Sequence, residues 1–154
     1  MAITIQNFLQ DKGVPFEVVP HPHQVTSSKI ADSAHITGEY LAKGVLLYDG
    51  EEYILAVVPS THLIDFEKLE MIFGRRLSMA QEKDIDEIFT DCDRGAVPPV
   101  GAAYGMSVMV DSSLTQKPDI YFEGGDHRCL VHVEGGDFSK LMRGAETALF
   151  SHHI

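Results

Sequence analysis

The stretch Lys43-Gly44-Val45-Leu46-Leu47-Tyr48-Asp49-Gly50-Glu51-Glu52-Tyr53-Ile54-Leu55-Ala56-Val57-Val58-Pro59 decides the fold. Two apolar, β-prone runs flank Asp49-Gly50, a strong tight-turn signal, so the segment reads as a hairpin opened by Lys43. Both runs are apolar almost without interruption. Continuous apolarity, as opposed to strict alternation, implies strands buried on both faces and therefore a sheet wrapped by helices or closed on itself.

Upstream, Ile5, Phe8 and Leu9 recur at i, i+3, i+4 behind Thr4 as a cap and ahead of Gly13 as a stop, which predicts a short amphipathic helix. Residues 16–20 form a short extended run. Thr26 and Ser27 are placed to cap a helix through about His35, with Ile30, Ala31 and Ala34 inward. Downstream, Asp65 is placed to cap a helix with Phe66, Leu69, Ile72 and Phe73 inward, and Gly74 ends it. Ile85, Ile88 and Phe89 repeat the pattern. Residues 107–111, 119–123 and 129–134 read as strands, with turns at Lys117-Pro118 and Gly124-Gly125. Asp137 then caps a last helix with Phe138, Leu141 and Met142 inward, and the tail through His152-His153 extends it or frays. Helices and strands out of strict alternation, with one clear hairpin, point to α+β with a mixed, mainly antiparallel sheet.

At 154 residues the chain is expected to form a single domain, residues 1–154, able to bury a core without staples. Its longest apolar runs are too short to span a bilayer, and its first residues lack the basic and apolar regions of a signal peptide, so a cytoplasmic location is expected. Cys92 and Cys129 are too few for a disulfide framework and are not spaced for zinc or redox work; they read as ordinary thiols. His21 and His23 lack a completing ligand set, and Asp84 and Asp86 lack the glycine and distal glutamate of a calcium loop. No metal and no cofactor are expected. A formal charge of −11 argues against a broad nucleic-acid surface. A small positive mouth remains open, since Lys43, Arg94 and Arg128 flank the segments of greatest chemical interest.

The first of those segments is Gly95-Ala96-Val97-Pro98-Pro99-Val100-Gly101, followed by Ala102-Ala103-Tyr104-Gly105. Proline removes a donor and fixes φ while glycine opens other conformations, so this is a shaped loop. A stiff Pro98-Pro99 step after the unobstructed Gly95 suits a backbone-built oxyanion or hydroxyl site. It equally suits a rigid connection between core elements. Lys43 beside an apolar strand is either a snorkelling charge or a fixed cation facing a phosphate or polarised ester.

Gly95-x-x-x-Pro99 resembles the GxxxP motif of the YbaK family, the prolyl-tRNA-synthetase-associated and free-standing aminoacyl-tRNA editing domains. Other matches follow in family order: Lys43 at the head of its strand, residues 53–59 as the next strand, the Val-Asp step at 108–111, and Gly124-Gly125-Asp126-His127 as a late Gly-rich turn. The match runs from about Val18 to Leu141. The resemblance implies a strongly curved, barrel-like mixed sheet flanked by helices. It implies hydrolysis of a mischarged aminoacyl-tRNA carrying a small amino acid such as Ala, Cys or Ser, on a proline tRNA or similar. Lys43, Gly95 and His127 would then be catalytic, with Ala96, Pro99, Gly101, Gly124, Gly125 and Arg94 lining the substrate. The acceptor end of the tRNA, and a synthetase, would be the partners. A non-catalytic module binding a nucleotide or aminoacyl ligand is the alternative on the same fold. No GxSxG motif or triad spacing points to a covalent mechanism.

Overall fold

A computed structural model of the chain describes residues 1–21 and 36–154. The helix expected behind Thr26 and Ser27 lies outside the described residues. In chain order the elements are α1 (Ile3–Asp11), β1 (Glu17–Pro20), β2 (Leu41–Tyr48), β3 (Tyr53–Pro59), β4 (His62–Ile64), α2 (Phe66–Phe73), β5 (Ser78–Met79), α3 (Glu82–Ile88), β6 (Ser107–Asp111), β7 (Asp119–Glu123), β8 (Cys129–Glu134), α4 (Gly135–Leu141), β9 (Glu146–Ala148) and β10 (Ser151–His153).

The hairpin forms as its sequence dictates, with β2 and β3 antiparallel from Ala42 opposite Pro59 to Tyr48 opposite Tyr53. Asp49 closes the turn by accepting the Glu51 and Glu52 N–H groups at 2.9 and 2.8 Å, and Gly50 takes a φ of 98°. From this centre the main sheet runs β1-β8-β7-β2-β3-β6-β9, with β5 also on β2 and a separate β4-β10 ladder. Pairs β2-β7, β3-β6 and β6-β9 are parallel and the rest antiparallel, so the chain is α+β with a mixed, mainly antiparallel sheet.

Strand alternation divides the core. Ala42, Leu46, Leu55, Val57, Val108, Val110, Ile120, Phe122, Val131 and Val133, from β2, β3, β6, β7 and β8, meet Ile5 and Leu9 of α1 and Phe138 of α4 in one cluster. One cluster gathered from five neighbouring strands requires the sheet to curve around it. The other face of the hairpin, with Leu47, Ile54, Ala56 and Val58, packs on Leu69 and Phe150. Both faces are buried, as the continuous apolar runs imply.

The structure corrects four local expectations. α1 starts at Ile3 with Ala2 at its cap; Thr4 lies within the first turn, and its N–H is taken by the Asp91 carboxylate at 2.8 Å. α4 starts at Gly135, ahead of Asp137, because the Gly135 N–H is held by the Pro118 carbonyl at 2.8 Å. Ile72 stands exposed, since only Leu69 of α2 is fully covered by the second cluster. The tail neither extends a helix nor frays: β9 pairs with β6, and β10 pairs with β4. Buried Phe150 anchors it, its N–H donating to the buried Asp111 carboxylate at 2.9 Å, and His62 Nδ1 meets Ser151 Oγ at 2.8 Å. The Val-Asp step at β6 is therefore a structural tie.

Candidate active site

The segment after α3 is built as a turn on a packed base. Gly95 adopts a φ of 79°, a region that favours glycine, and Ala96 N–H closes the turn on the Asp93 carbonyl at 2.9 Å. Ala96, Pro99 and Gly101 are buried, whereas Arg94 and Gly95 are exposed. Pro99 lies on β2: a Cβ at Gly44 would stand 3.3 Å from the Pro99 Cα. At Gly101 a Cβ would stand 2.7 Å from Val108 Cγ2, so this glycine permits close contact with β6. Of the loop residues expected in the site, Ala96, Pro99 and Gly101, expected to line substrate, thus form the base, and Gly95, expected to be catalytic, and Arg94 form the surface.

The turn between β7 and β8 meets that surface. Gly124 packs so closely that a Cβ would come 2.5 Å from Cys129 Sγ, and its carbonyl takes the Ala2 N–H at 2.7 Å. Gly125 and His127 both have positive φ, 105° and 59°, and buried Glu123 accepts their N–H groups on one oxygen at 3.2 and 3.0 Å. Two bonds then join this turn to the motif loop. His127 Nε2 donates to the Arg94 carbonyl at 2.7 Å, and Asp93 N–H donates to the Gly125 carbonyl at 2.7 Å. The His127 ring stands 3.8 Å from where a Gly95 Cβ would be. His127, expected near the site, is brought against Gly95.

Lys43 lies on β2, the parallel neighbour of β7. Parallel pairing sets Leu41 beside Tyr121 and Ala42 beside Phe122, so Lys43 and Glu123, each the next residue along, share a sheet face. Gly44, the next residue, turns the opposite face to Pro99. Lys43 is half-buried and, among the described residues, has no carboxylate partner; burial lowers its pKa below the ordinary lysine value. Burial raises the Glu123 carboxyl, against the pull of the His127 and Gly125 N–H groups and the nearby His127 and His21 rings.

Arg94 lies along α3, its guanidinium 3.3 Å from Glu82 and 3.4 Å from Asp86. With Ile85 and Gly95 these residues line a cavity of about 290 Å³. Burial pushes both the Cys92 and Cys129 thiols up to about 11, so neither is a ready nucleophile at neutral pH. Among the described residues, no three His, Cys, Asp or Glu side chains are grouped to hold a metal ion, and no helix is long and apolar enough to cross a membrane. Glu123 and Asp91 were missed in the sequence. The one signal for Glu123 is a carboxylate closing an apolar strand just before Gly124-Gly125.

The geometry has close structural relatives. The hypothetical protein APE2540 superposes with a TM-score of 0.85 at 17% identity, covering 97% of this chain and 99% of that one. A protein provisionally described as a trans-editing enzyme for prolyl tRNA synthetase gives 0.84 at 22% identity, covering 97% and 95%. A third, provisionally described as a signal transduction protein from Marinobacter aquaeolei VT8, gives 0.80 at 20% identity, covering 98% of this chain but 31% of its own. At these identities the likeness establishes the fold. No curated protein sequence matches the chain. The family model described as the aminoacyl-tRNA editing domain matches residues 21–141, a span that includes Lys43, the Gly95 loop and the His127 turn. The chain belongs to the aminoacyl-tRNA editing domain family.

Proposed function

We propose that the chain is a trans-acting aminoacyl-tRNA deacylase that hydrolyses the ester of a small amino acid, such as Ala, Cys or Ser, on a mischarged tRNA. The observation that carries this reading is Lys43, a half-buried cation without a carboxylate partner among the described residues, on the sheet face of Glu123, whose turn holds Gly95. An ammonium kept partly out of water and left uncompensated suits a group that becomes negative during reaction. Water adds to the ester carbonyl carbon, and the carbonyl oxygen takes up the negative charge. Lys43 and the Gly95 N–H stabilise that oxyanion. Its collapse breaks the bond to the ribose oxygen, which leaves with the proton given up by water, releasing amino acid and tRNA. His127, whose Nε2 is engaged by the Arg94 carbonyl, acts on the loop and not on the ester.

The likeness to a protein described as trans-editing for prolyl tRNA synthetase makes a mischarged proline tRNA the first substrate to test, and a synthetase a partner to test beside it. With tRNAs charged with Ala, Cys or Ser, ester release is expected from at least one. Lys43→Ala should reduce it by about 10²–10³-fold, the scale of losing one oxyanion contact. Full activity in that variant, or no release from the whole panel, removes the reading.

A second reading, a binding module without turnover, draws on the same fold occurring within a longer chain described in signalling terms, and on the tie of Arg94 to Glu82 and Asp86. Binding of a non-hydrolysable aminoacyl-adenosine with no hydrolysis of any ester would favour it.

A further inference from the structure

We infer that Glu123 is the positioning residue of this site, its carboxylate setting the turn that aims the Gly95 amide. The inference rests on the deacylase reading and adds a residue that no motif marks. Glu123 ends β7, and one oxygen gathers the N–H groups of Gly125 and His127 while the other faces His127 Nδ1 at 4.0 Å. A carbonyl can only accept, so in the 2.7 Å contact with Arg94 O the Nε2 of His127 carries a proton. Asp93 N–H on the Gly125 carbonyl supplies the second link. The two links hold the two residues immediately before Gly95. In a trans peptide the C=O and the following N–H point in opposite directions, so pinning the Arg94 carbonyl on His127 turns the Gly95 N–H away from it.

The energetics support a specific role. A buried carboxylate is costly without an ion pair, and Glu123 has none with a lysine or arginine among the described residues, although Lys43 shares its face. The groups facing it are His127 from its own turn, His21 after β1, Cys92 after α3 and Cys129 at the start of β8. An apolar side chain would fill the strand end at less cost. What it would not supply is one acceptor for two turn amides.

The test compares Glu123→Gln, which keeps that acceptor, with Glu123→Leu, which fills the space without it. Glu123→Leu is expected to lower kcat by about 100-fold with KM nearly unchanged, as for a displacement of reacting groups by about 1 Å. Glu123→Gln should stay within about fivefold of wild type. Amide hydrogen exchange, which needs no substrate, reads the same claim. Exchange at Asp93 and His127 should quicken by about tenfold or more in the Leu variant, as expected for a lost bond worth about 1.4 kcal/mol, and stay slow in the Gln variant. Wild-type kcat in folded Glu123→Leu, or slowed turnover with Asp93 exchange unaltered, overturns the inference. Should Leu fail to fold, Glu123→Asp keeps the charge but is one methylene shorter; about tenfold loss in kcat is expected, and full activity overturns the inference. Absence of ester release from wild-type protein sinks the deacylase reading alone, because the exchange measurement still decides whether Glu123 sets the loop.

Discussion

At Lys43, stability and chemistry pull apart. Half-burial lowers the lysine's pKa, so its charged form costs the folded state something at neutral pH that is regained as pH rises from the lowered folded-state value toward the ordinary one. A side chain of similar length without charge should relieve that cost. Lys43→Met is expected to raise Tm by about 1–3 °C, a modest figure because roughly half of the side chain remains in contact with water, while ester release collapses. A thermal melt beside a deacylation assay checks both halves; a lower Tm would mean that Lys43 is an ordinary snorkelling residue. Lys43 and Gly95 drew attention through the resemblance of the Lys43 strand and of Gly95-x-x-x-Pro99 to the editing-domain family; taken alone, the first reads as well as a snorkelling charge and the second as well as part of a rigid connection. Glu123 drew none, since a carboxylate at a strand end reads as surface until the neighbouring turn is folded onto it.

Strands β2, β3, β6, β7 and β8 follow from local pattern, because each carries its own apolar run between turn residues, whereas the two-residue β5 has none. The helix caps do so only in part: Asp65 and Gly74 bound α2 as the local pattern indicates, but the start of α1 does not follow from its own neighbours. The N-terminus of α1 is capped by a carboxylate 87 residues away in sequence: Asp91 takes the Thr4 N–H, and its other oxygen takes the Tyr104 hydroxyl at 2.9 Å. No window of sequence around Thr4 contains that partner. The same blindness explains β9, whose Glu146-Thr147-Ala148 has no apolar run and is a strand only because the edge of β6 accepts it. Asp91→Ala should therefore melt lower, by about 1–2 kcal/mol or about 3–6 °C, the cost of a lost cap and a lost hydroxyl partner. The pH dependence has a definite sign. Burial pulls the Asp91 carboxyl up, but the Thr4 and Tyr104 hydrogen bonds outweigh it and hold the group below the ordinary aspartate value. Its stabilisation is present above that ordinary value and is lost as pH falls through the lower folded-state one. Wild type and Asp91→Ala should accordingly converge in Tm in strong acid, and a constant gap across the titration would contradict the assignment.

For the whole molecule the governing fact is a formal charge of −11 on a protein whose family acts on aminoacyl-tRNA. Such a body cannot hold a tRNA by a broad basic face, and the basic side chains that flank the motif segments in sequence are Lys43, Arg94 and Arg128. Arg94 is already paired with Glu82 and Asp86. On the proposed deacylase reading recognition is confined to the acceptor end, and the salt dependence of binding should be shallow. Each phosphate neutralised on a single strand contributes about −0.7 to the slope of log K against log salt, so three cations set a limit of about −2. Raising salt from about 50 to about 200 mM should weaken tRNA binding by no more than roughly 15- to 20-fold, against about 10³–10⁵ for proteins making many phosphate contacts. Freeing Arg94 in Glu82→Gln/Asp86→Asn should steepen the slope by up to about 0.7 and tighten binding at low salt, because the guanidinium then competes for phosphate without its present partners. A wild-type slope near −5 would require a basic surface contributed from outside this chain, such as a synthetase bound alongside it, and repeating the titration with that partner added would show the steep slope only in the complex.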